Sequence, residues 1–162
     1  MTASTAPHEA ARSAREHDLP VIVELAGAAA DEKVQQKGGA IWARREGRPH
    51  PREEALRAAL ASGDQEVAVG TVDDTVVGYG VVRLERLLDG GMLGVIDDIY
   101  VEAGARGIGV GETLMNHLLD WCRARGCFGV DSLALPGDRE TKNFFESFGL
   151  VARAIVVHRP LQ

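Results

Sequence analysis

The sequence predicts a single mixed α/β domain of the α+β type, in which helices flank a central sheet that is mainly antiparallel. Three observations support this fold class. Helical spacing of apolar residues fills much of the first third, valine-rich runs with short turns begin at Glu66, and a glycine-rich loop later joins an apolar strand to an amphipathic helix. A chain of 162 residues that is 45% apolar and 26% charged is large enough for one hydrophobic core.

The composition excludes several classes of protein. The longest apolar stretches, such as residues 25–30 and 154–157, are far shorter than the roughly 18 residues that a membrane-spanning helix needs. A net charge of −6 disfavours a nucleic-acid-binding protein. Residues 1–20 contain no continuous apolar core, and their acidic side chains argue against an organelle transit peptide, so we expect a cytoplasmic protein.

The cysteines and histidines do not form a metal-site pattern. Cys122 and Cys127 are separated by four residues and the five histidines are scattered, so neither a zinc site nor a disulfide framework is indicated. A packing role suits both cysteines better than a nucleophilic one, because Cys122 lies on the apolar stripe of a predicted helix and Cys127 follows the end of that helix.

The first third of the chain is predicted to be largely helical. Residues 1–9 lack periodicity and are expected to form a flexible terminus before one domain over residues 10–162, which starts with a short strand near residues 10–14. Asp18 is a good N-cap for the first helix. Glycines and prolines separate two further helical segments, a short one around Trp42 and one over residues 52–61.

The remainder of the chain alternates strands with helices, with no linker or internal repeat. Two valine-rich runs joined by Asp73-Asp74 predict a hairpin. The predicted strands cover residues 66–72, 75–84, 92–101, 129–135 and 151–158. One helix is predicted over residues 110–125, and another follows an Asp138 cap and stops at Gly149.

The glycine-rich loop from Arg106 to Gly111 is the sharpest local feature. Its glycines let backbone N–H groups converge at the N-terminus of a helix, an arrangement that suits a phosphate group. A Walker loop is excluded because Glu112-Thr113 follows in place of Lys-Ser or Lys-Thr, and the spacing also fails the dinucleotide motif. Taken alone, the loop is explained equally well as a tight turn between a strand and a helix.

The segment over residues 95–150 resembles the GCN5-related N-acetyltransferase (GNAT) superfamily. The acetyl-CoA motif of that family, R/Q-x-x-G-x-G/A, matches Arg106, Gly109 and Gly111. A second family element, a helix of the approximate form A-x-N-F-Y-E-x-x-G-F, is matched in order by Thr141, Asn143, Phe144, Phe145, Glu146, Gly149 and Leu150. Two ordered motifs at a family-like separation argue against a chance match, and they cover about one third of the chain.

The resemblance implies a GNAT fold with one parallel strand pair beside a cofactor cleft, and acetyl-CoA as co-substrate. In the family, the loop amides and the following helix hold the pyrophosphate, and the preceding strand offers backbone partners to the pantetheine arm. The cofactor-binding residues carried over in this way are Ile99, Tyr100, Val101, Arg106, Gly107, Ile108, Gly109, Val110, Gly111, Glu112, Thr113, Asp138, Asn143 and Phe145. The family often has a tyrosine at Phe145 to protonate the leaving thiolate, so the general acid stays unassigned here.

Two aspartates, Asp97 and Asp98, interrupt the apolar strand before the loop. A carboxylate on a buried strand is costly unless it is paired or faces a cleft, and burial raises its pKa toward values useful to a general base. Neighbouring strand residues point to opposite faces, so one of the two is expected to reach an acceptor amine, and a bulge would change which. Asp97 is favoured as the catalytic base with Asp98 kept beside it. Alternatively, both carboxylates cap loops or pair with an arginine such as Arg83.

The resemblance implies direct acetyl transfer from acetyl-CoA to a primary amine of a small molecule or peptide, with an amide in residues 99–101 stabilising the oxyanion. No membrane or nucleic-acid partner is expected, and a homodimer stays open. Two other interpretations remain. One is a non-catalytic or regulatory acyl-CoA-binding domain of the same fold, which Phe145 makes credible, and the other is a protein-interaction module that uses the arginines of residues 44–52.

Overall fold

A five-stranded sheet forms the centre of the computed structural model, which describes residues 5–162. Its strands are β1 (Glu9–Ser13), β2 (Gln65–Val72), β3 (Thr75–Arg86), β4 (Met92–Val101) and β5 (Gly129–Ser132). They lie side by side in the order in which they occur along the chain. Neighbouring strands are antiparallel except β4 and β5, which are parallel, so the predicted fold class is confirmed.

Helices cover both faces of the sheet. They are α1 (Leu19–Val34), α2 (Gly39–Arg45), α3 (Arg52–Ala61), α4 (Val110–Ala124) and α5 (Arg139–Ser147). One core lies between the sheet and α1 with α3, where Ile22 and Leu56 pack among side chains of β2 and β3. The other core lies under α4 and α5. Between residues 5 and 162, no helix has both the length and the apolar character that crossing a membrane requires.

Helix α4 lies unusually close to the sheet because glycines face it. A methyl group added at Gly70 of β2 would lie 2.5 Å from Cγ1 of Val110, and one added at Gly80 of β3 would lie 2.9 Å from a methyl of Leu118. Real Cβ atoms do not make contacts this short, so a larger residue would push the helix away from the strands. The glycines therefore fix the height of α4 above the sheet.

Asp18 does not cap α1 as predicted, because its carboxylate is used elsewhere. It is 2% exposed and accepts hydrogen bonds from both terminal nitrogens of Arg12, at 2.8 and 2.9 Å, and from the backbone N–H of Arg15, at 2.7 Å. The hydrogen bonds from Arg12 are the main reason why the pKa of Asp18 lies below its ordinary value. This ion pair joins β1 to the start of α1.

Three predicted boundaries need correction. Glu9, assigned to the flexible terminus, begins β1, since hydrogen bonds between His8 and Asp73 extend the pairing with β2; residues 1–4 of that terminus lie outside the described residues. Strand β5 ends at Ser132 because β4 and β5 diverge there. The strand predicted over residues 151–158 is absent, since no strand of the described chain pairs with these exposed residues.

We expect Asp18→Asn to lower the free energy of unfolding by about 2 kcal/mol at pH 7, because the guanidinium of Arg12 loses its buried counter-charge. The folded-state pKa is lowered, so the ion pair stabilises the protein above the ordinary carboxyl range and stops doing so as the pH falls through the lowered value. The difference between variant and parent should therefore shrink in acid. Urea unfolding at several pH values measures it.

The matched control is Asp120→Asn, which breaks an ion pair with Arg123 whose carboxylate side chain is 74% exposed. An exposed pair contributes little, so this variant should lose less than about 0.5 kcal/mol. Equal losses from the two substitutions would contradict a special role for the pair between Asp18 and Arg12.

Candidate functional site

A bulge in β4 creates the site. In the pairing with β3, Val81 faces Asp98 while Val82 faces Ile96, so Asp97 is an extra residue without an opposite partner. Beyond this point β4 also leaves β5, whose last paired residue is Ser132 opposite Ile96. The hydroxyl of Ser132 donates to the carbonyl of Ile96 at 3.0 Å and closes the parallel pairing. A gap between β4 and β5 follows.

A cleft of about 520 Å³ occupies this gap and extends toward α1 and the loop before α3. It brings together most of the residues that the sequence nominated. Those that line it are Asp97, Asp98, Ile99, Tyr100, Val101, Arg106, Gly107, Gly111, Glu112, Asp138 and Phe145. The cleft thus unites residues from β4, the glycine loop and two helices.

The other nominated residues do not line the cleft. Val110 is buried in the core under α4, and the hydroxyl of Thr113 donates to the carbonyl of Val110 at 2.9 Å. Asn143 lies on the exposed side of α5. Ile108 and Gly109 belong to the glycine loop, where Ile108 is 40% exposed and only backbone groups are suited to hold a ligand.

The end of β4 presents unpaired backbone groups to the gap. The N–H of Glu102 donates to Val77 of β3, so by alternation Ile99 and Val101 direct their N–H and C=O groups away from β3. The carbonyl of Val101 accepts a hydrogen bond from Nε of Arg106 at 2.8 Å. The N–H groups of Ile99 and Val101 therefore face the gap, where an extended ligand could pair with them as a strand would.

The glycine loop and the start of α4 form a cluster of backbone donors. Gly107 and Gly109 have φ values of 83° and 97°, which other residues rarely adopt, and Gly109 precedes the helix without a side-chain cap. The first helical hydrogen bond runs from Thr113 to Gly109, so the N–H groups of residues 110–112 have no carbonyl partner within the helix. This geometry suits an anion.

Asp98 is held by two side chains from other elements. Its Oδ2 accepts hydrogen bonds from Nε and Nη2 of Arg48, at 2.9 and 2.8 Å, and from the hydroxyl of Tyr79 at 3.2 Å. Arg48 and Asp98 are 13% and 16% exposed. Burial, with the nearby carboxylate of Asp98, raises the pKa of Tyr79 well above its ordinary value, so the phenol keeps its proton and donates it to Asp98.

Asp97 has a looser environment than Asp98. Its carboxylate lies 3.1 Å from Nε of Arg83, a guanidinium that is shared with Glu85. Burial is the main reason why the pKa of Asp97 lies above its ordinary value, and Asp98 raises it further while Arg83 opposes the change. The expected pairing with Arg83 is therefore present. The bulge places both aspartates on the wall of the cleft, so which of the two reaches an acceptor amine stays a prediction.

Arg106 connects the glycine loop to α1. Its Nη2 lies 2.9 Å and 3.1 Å from the two carboxylate oxygens of Glu32, and the hydroxyl of Tyr100 donates to the same carboxylate at 2.9 Å. The guanidinium also lies over the ring of Tyr100. Sequence analysis did not identify Glu32 as a site residue, because a single carboxylate at the acidic end of a helix does not belong to any recognisable motif.

Three cationic side chains, Lys33, Arg48 and Arg52, line one part of the cleft together with His50, and we call this part its cationic side. Arg48 is paired with Asp98, whereas Lys33, His50 and Arg52 have no ion-pair partner among residues 5–162. The ammonium of Lys33 lies 4.9 Å from the ring centre of Trp42, and burial lowers its pKa. Sequence analysis treated Arg48 and Arg52 as a surface patch and missed Lys33 and His50.

Asp138 and Phe145 shape the wall formed by α5. The carboxylate of Asp138 accepts hydrogen bonds from the N–H and the hydroxyl of Thr141, at 3.1 and 2.7 Å, so the predicted helix cap is confirmed. Phe145 is 6% exposed, and its ring offers no proton. This part of the wall thus consists of a capped helix start and a buried aromatic ring.

The cysteines lie apart from the cleft. Cys122 is buried, and burial together with neighbouring Cys127 raises the pKa of its thiol to about 12, so it is not a thiolate at neutral pH. Within the described part of the chain, no group of three or more histidine, cysteine or acidic side chains could hold a metal ion.

Comparison with known proteins identifies relatives. Residues 39–150 match the model of the Acetyltransferase (GNAT) family. Glucosamine 6-phosphate N-acetyltransferase 1 of Oryza sativa subsp. japonica is 32% identical over 112 residues, which are 64% of this chain and 66% of that protein. Glucosamine 6-phosphate N-acetyltransferase of Arabidopsis thaliana is 30% identical over 57% of this chain and 64% of its own length. These matches span just under two thirds of the relatives.

Solved structures share the fold at low identity. The aminoglycoside N-acetyltransferase AAC(6')-Iy in complex with CoA superposes with a TM-score of 0.73 at 14% identity, over 98% of this chain and 99% of that one. The glucosamine-6-phosphate N-acetyltransferase of Arabidopsis thaliana gives a TM-score of 0.68 at 21% identity, over 96% and 99% of the two chains. At these identities the similarity concerns the fold.

Proposed function

The chain belongs to the acetyltransferase (GNAT) family, and we propose that it transfers the acetyl group of acetyl-CoA to the primary amine of a small molecule that also carries an anionic group. One observation carries this proposal. A single cleft joins a backbone anion site, a gap lined by unpaired strand amides and two carboxylates, so it can hold a phosphorylated thioester and an amine together.

Acetyl-CoA fits the backbone groups of the cleft. The N–H groups of the glycine loop and of residues 110–112 would hold the pyrophosphate, and that of Val101 would pair with the pantetheine arm, which leaves the N–H of Ile99 for the thioester carbonyl. Glu112 and Asp138 would act through the start of their helices rather than through their carboxylates. When bound, acetyl-CoA supplies an activated acetyl group.

Asp97 is the proposed base and Asp98 a positioning residue. Asp98 is already neutralised by Arg48 and by the hydroxyl of Tyr79, whereas Asp97 has a raised pKa that suits proton acceptance. Asp97 would take a proton from the acceptor ammonium through water. The free amine then forms a C–N bond with the thioester carbonyl carbon, and the N–H of Ile99 would stabilise the oxyanion. As the C–S bond breaks, the proton that the attacking nitrogen loses passes through water to the leaving thiolate. Phe145 offers no proton to the leaving thiolate.

The cationic side of the cleft supports an acceptor with an anionic group. Lys33, His50 and Arg52 line the same cleft as the aspartates, so an acceptor could place its ammonium near Asp97 and its anion near Lys33 and Arg52. Amino sugar phosphates meet this description, and the curated relatives are named for glucosamine 6-phosphate. We therefore propose an amino sugar phosphate as the acceptor class.

A second candidate function is a non-catalytic acyl-CoA-binding domain. Phe145 favours it, because the wall of the cleft lacks a phenolic acid at this position. Turnover distinguishes the two candidates: binding of acetyl-CoA without transfer to any amine would support the second.

We expect Ile108→Glu to weaken acetyl-CoA binding by at least about tenfold, because the new carboxylate lies beside the proposed pyrophosphate site. Ile108 is exposed and has no positive φ, so the loop tolerates the change. Ile108→Gln has the same size without the charge and should bind as the parent does. Calorimetric titration measures both. Acetyl-pantetheine, which lacks the pyrophosphate, should bind the Glu and Gln variants equally; equal loss of acetyl-CoA binding in both would contradict the anion site.

We expect Asp97→Asn to lower kcat by about 10²-fold or more with acetyl-CoA binding unchanged, since an amide cannot accept the proton. The raised pKa of Asp97 means that parent activity should increase with pH as this carboxyl ionises, at a pH above the ordinary carboxyl range. The activity of the variant should not show this increase with pH. Thiol release with glucosamine 6-phosphate measures the rate, Asp120→Asn is the exposed control, and an unchanged profile would contradict Asp97 as base.

We expect Arg52→Gln to raise the KM for glucosamine 6-phosphate by about tenfold and to leave the KM for unphosphorylated glucosamine nearly unchanged. Only the phosphorylated sugar would lose an ionic contact with the guanidinium of Arg52. Arg44→Gln, an exposed arginine of α2 outside the cleft, is the matched control. Equal increases for both sugars would contradict an anion subsite at Arg52.

A further inference from the structure

One of the three lysines of the chain lies in the cleft. Lys33, in the last turn of α1, is partly buried and lines the cleft together with Asp97 and Ile99. Lys37 and Lys142 are exposed and do not line the cleft. Most lysines are exposed, because removing an ammonium group from water is unfavourable. A lysine amine on the wall of a reaction cleft is therefore a candidate functional group.

The end of α1 is held against the end of β4, and this contact fixes the backbone of Lys33 beside the cleft. The carboxylate of Glu32 accepts a hydrogen bond from the hydroxyl of Tyr100 at 2.9 Å and pairs with Arg106 at 2.9 Å. The ammonium of Lys33 lies 4.9 Å from the ring centre of Trp42, which also lines the cleft. The amine is therefore positioned on the wall of the cleft by the neighbouring residue in the chain and by an aromatic ring.

The surroundings of Lys33 favour a neutral amine more than those of an exposed lysine do. Burial is the main reason why the pKa of Lys33 lies below its ordinary value, and the carboxylates of Asp98 and Asp138 oppose this change. These carboxylates belong to different walls of the cleft, β4 and the start of α5, so the amine is influenced by both walls. No ion pair neutralises Lys33 within the part of the chain that the structure describes. A lysine that is unpaired and partly desolvated is suited to act as a nucleophile.

We propose that Lys33 accepts an acetyl group from acetyl-CoA bound in the same cleft, so that the protein acetylates itself at this position. This inference rests on the proposed function, because it needs acetyl-CoA at the backbone sites of β4 and the glycine loop. The ammonium first loses a proton to solvent. The neutral Nζ then forms a C–N bond with the thioester carbonyl carbon, while the N–H of Ile99 stabilises the oxyanion. The C–S bond breaks, and the proton that Nζ loses passes through water to the thiolate, which gives acetyl-lysine and the thiol of CoA.

The acceptor controls this modification. Its anionic group would pair with the ammonium of Lys33, and this contact keeps the amine protonated and unreactive. Without an acceptor, Lys33 is the lysine that faces the bound thioester. The amide that forms does not pass its acetyl group to another amine, so acetyl-Lys33 is a lasting modification and not an intermediate of transfer. The modified cleft has one cation fewer, and it therefore binds an anionic acceptor more weakly.

The test incubates the full chain with acetyl-CoA and no acceptor, and it locates acetyl groups by mass spectrometry of proteolytic peptides. We expect acetyl-Lys33 to form at least about tenfold faster than acetylated Lys37 or Lys142, since only Lys33 among these lysines lines the cleft. Lys37→Arg should leave the rate at Lys33 unchanged. At a subsaturating concentration of acetyl-CoA, Ile108→Glu should slow the modification and Ile108→Gln should not, because the acetyl group comes from bound acetyl-CoA.

Glucose 6-phosphate tests the protection by the acceptor, because it carries the anion without the amine. It should slow the acetylation of Lys33 by at least about fivefold, whereas glucose should not. An equal rate with both sugars would contradict the contact between Lys33 and the anion.

Thiol release with glucosamine 6-phosphate, measured on the same preparation, tests the proposed function separately. Turnover of this amine without acetyl-Lys33 would overturn self-acetylation alone, and the absence of both would overturn both proposals. Acetyl-Lys33 without turnover would support self-acetylation and contradict the proposed acceptor. Equal acetylation of all three lysines would indicate reaction with acetyl-CoA in solution and would overturn self-acetylation in the cleft.

Discussion

The close packing of α4 on glycines is the constraint on which the rest of the structure depends. At Gly70, Gly80 and Gly94 an added methyl group would lie within 2.9 Å of a side chain of α4, so the helix rests almost on the strand backbone. The N-terminus of the same helix carries the glycine loop. Its height above the sheet therefore sets the distance between the loop donors and the end of β4, and a larger residue under the helix would alter the cleft without touching it.

The bulge at Asp97 lies where the pairing between β4 and β5 ends and the cleft begins. It places two carboxylates on one wall and lets β4 diverge from β5, so the strand amides that would have bonded to β5 face the cleft instead. Two neighbouring carboxylates repel each other, and the chain compensates with separate guanidiniums, Arg48 for Asp98 and Arg83 for Asp97. Arg48 donates two hydrogen bonds to Asp98, whereas Asp97 shares Arg83 with Glu85, so the two aspartates have different environments.

Local signals made much of this architecture predictable. The bounds of β4 and α3 follow from apolar runs, prolines and glycines in the sequence, and the hairpin turn at Asp73-Asp74 adopts the positive φ that its residues tolerate. Partners distant in the chain were not predictable: Arg12 reaches Asp18 across a turn, and Glu32 reaches Arg106 across 74 residues. The sequence also does not show which glycines allow a helix to pack closely on the sheet and which glycines form turns. The apolar residues 151–158 predict a strand, but these residues form none, because a strand also needs a neighbouring strand to pair with and the local sequence does not supply that information.

The separation of the two cores has a consequence for how such a protein can diversify. One core joins α1 and α3 to a face of the sheet, and the other joins α4 and α5 to the opposite face, with the strand backbones between them. Substitutions in one core share few neighbours with the other, so their effects on stability add nearly independently. Substitutions on the α1 and α3 side, where Lys33 and Arg52 lie, should therefore leave the packing beneath the glycine loop intact. The sheet thus separates the packing that supports the glycine loop from the packing that supports these basic side chains.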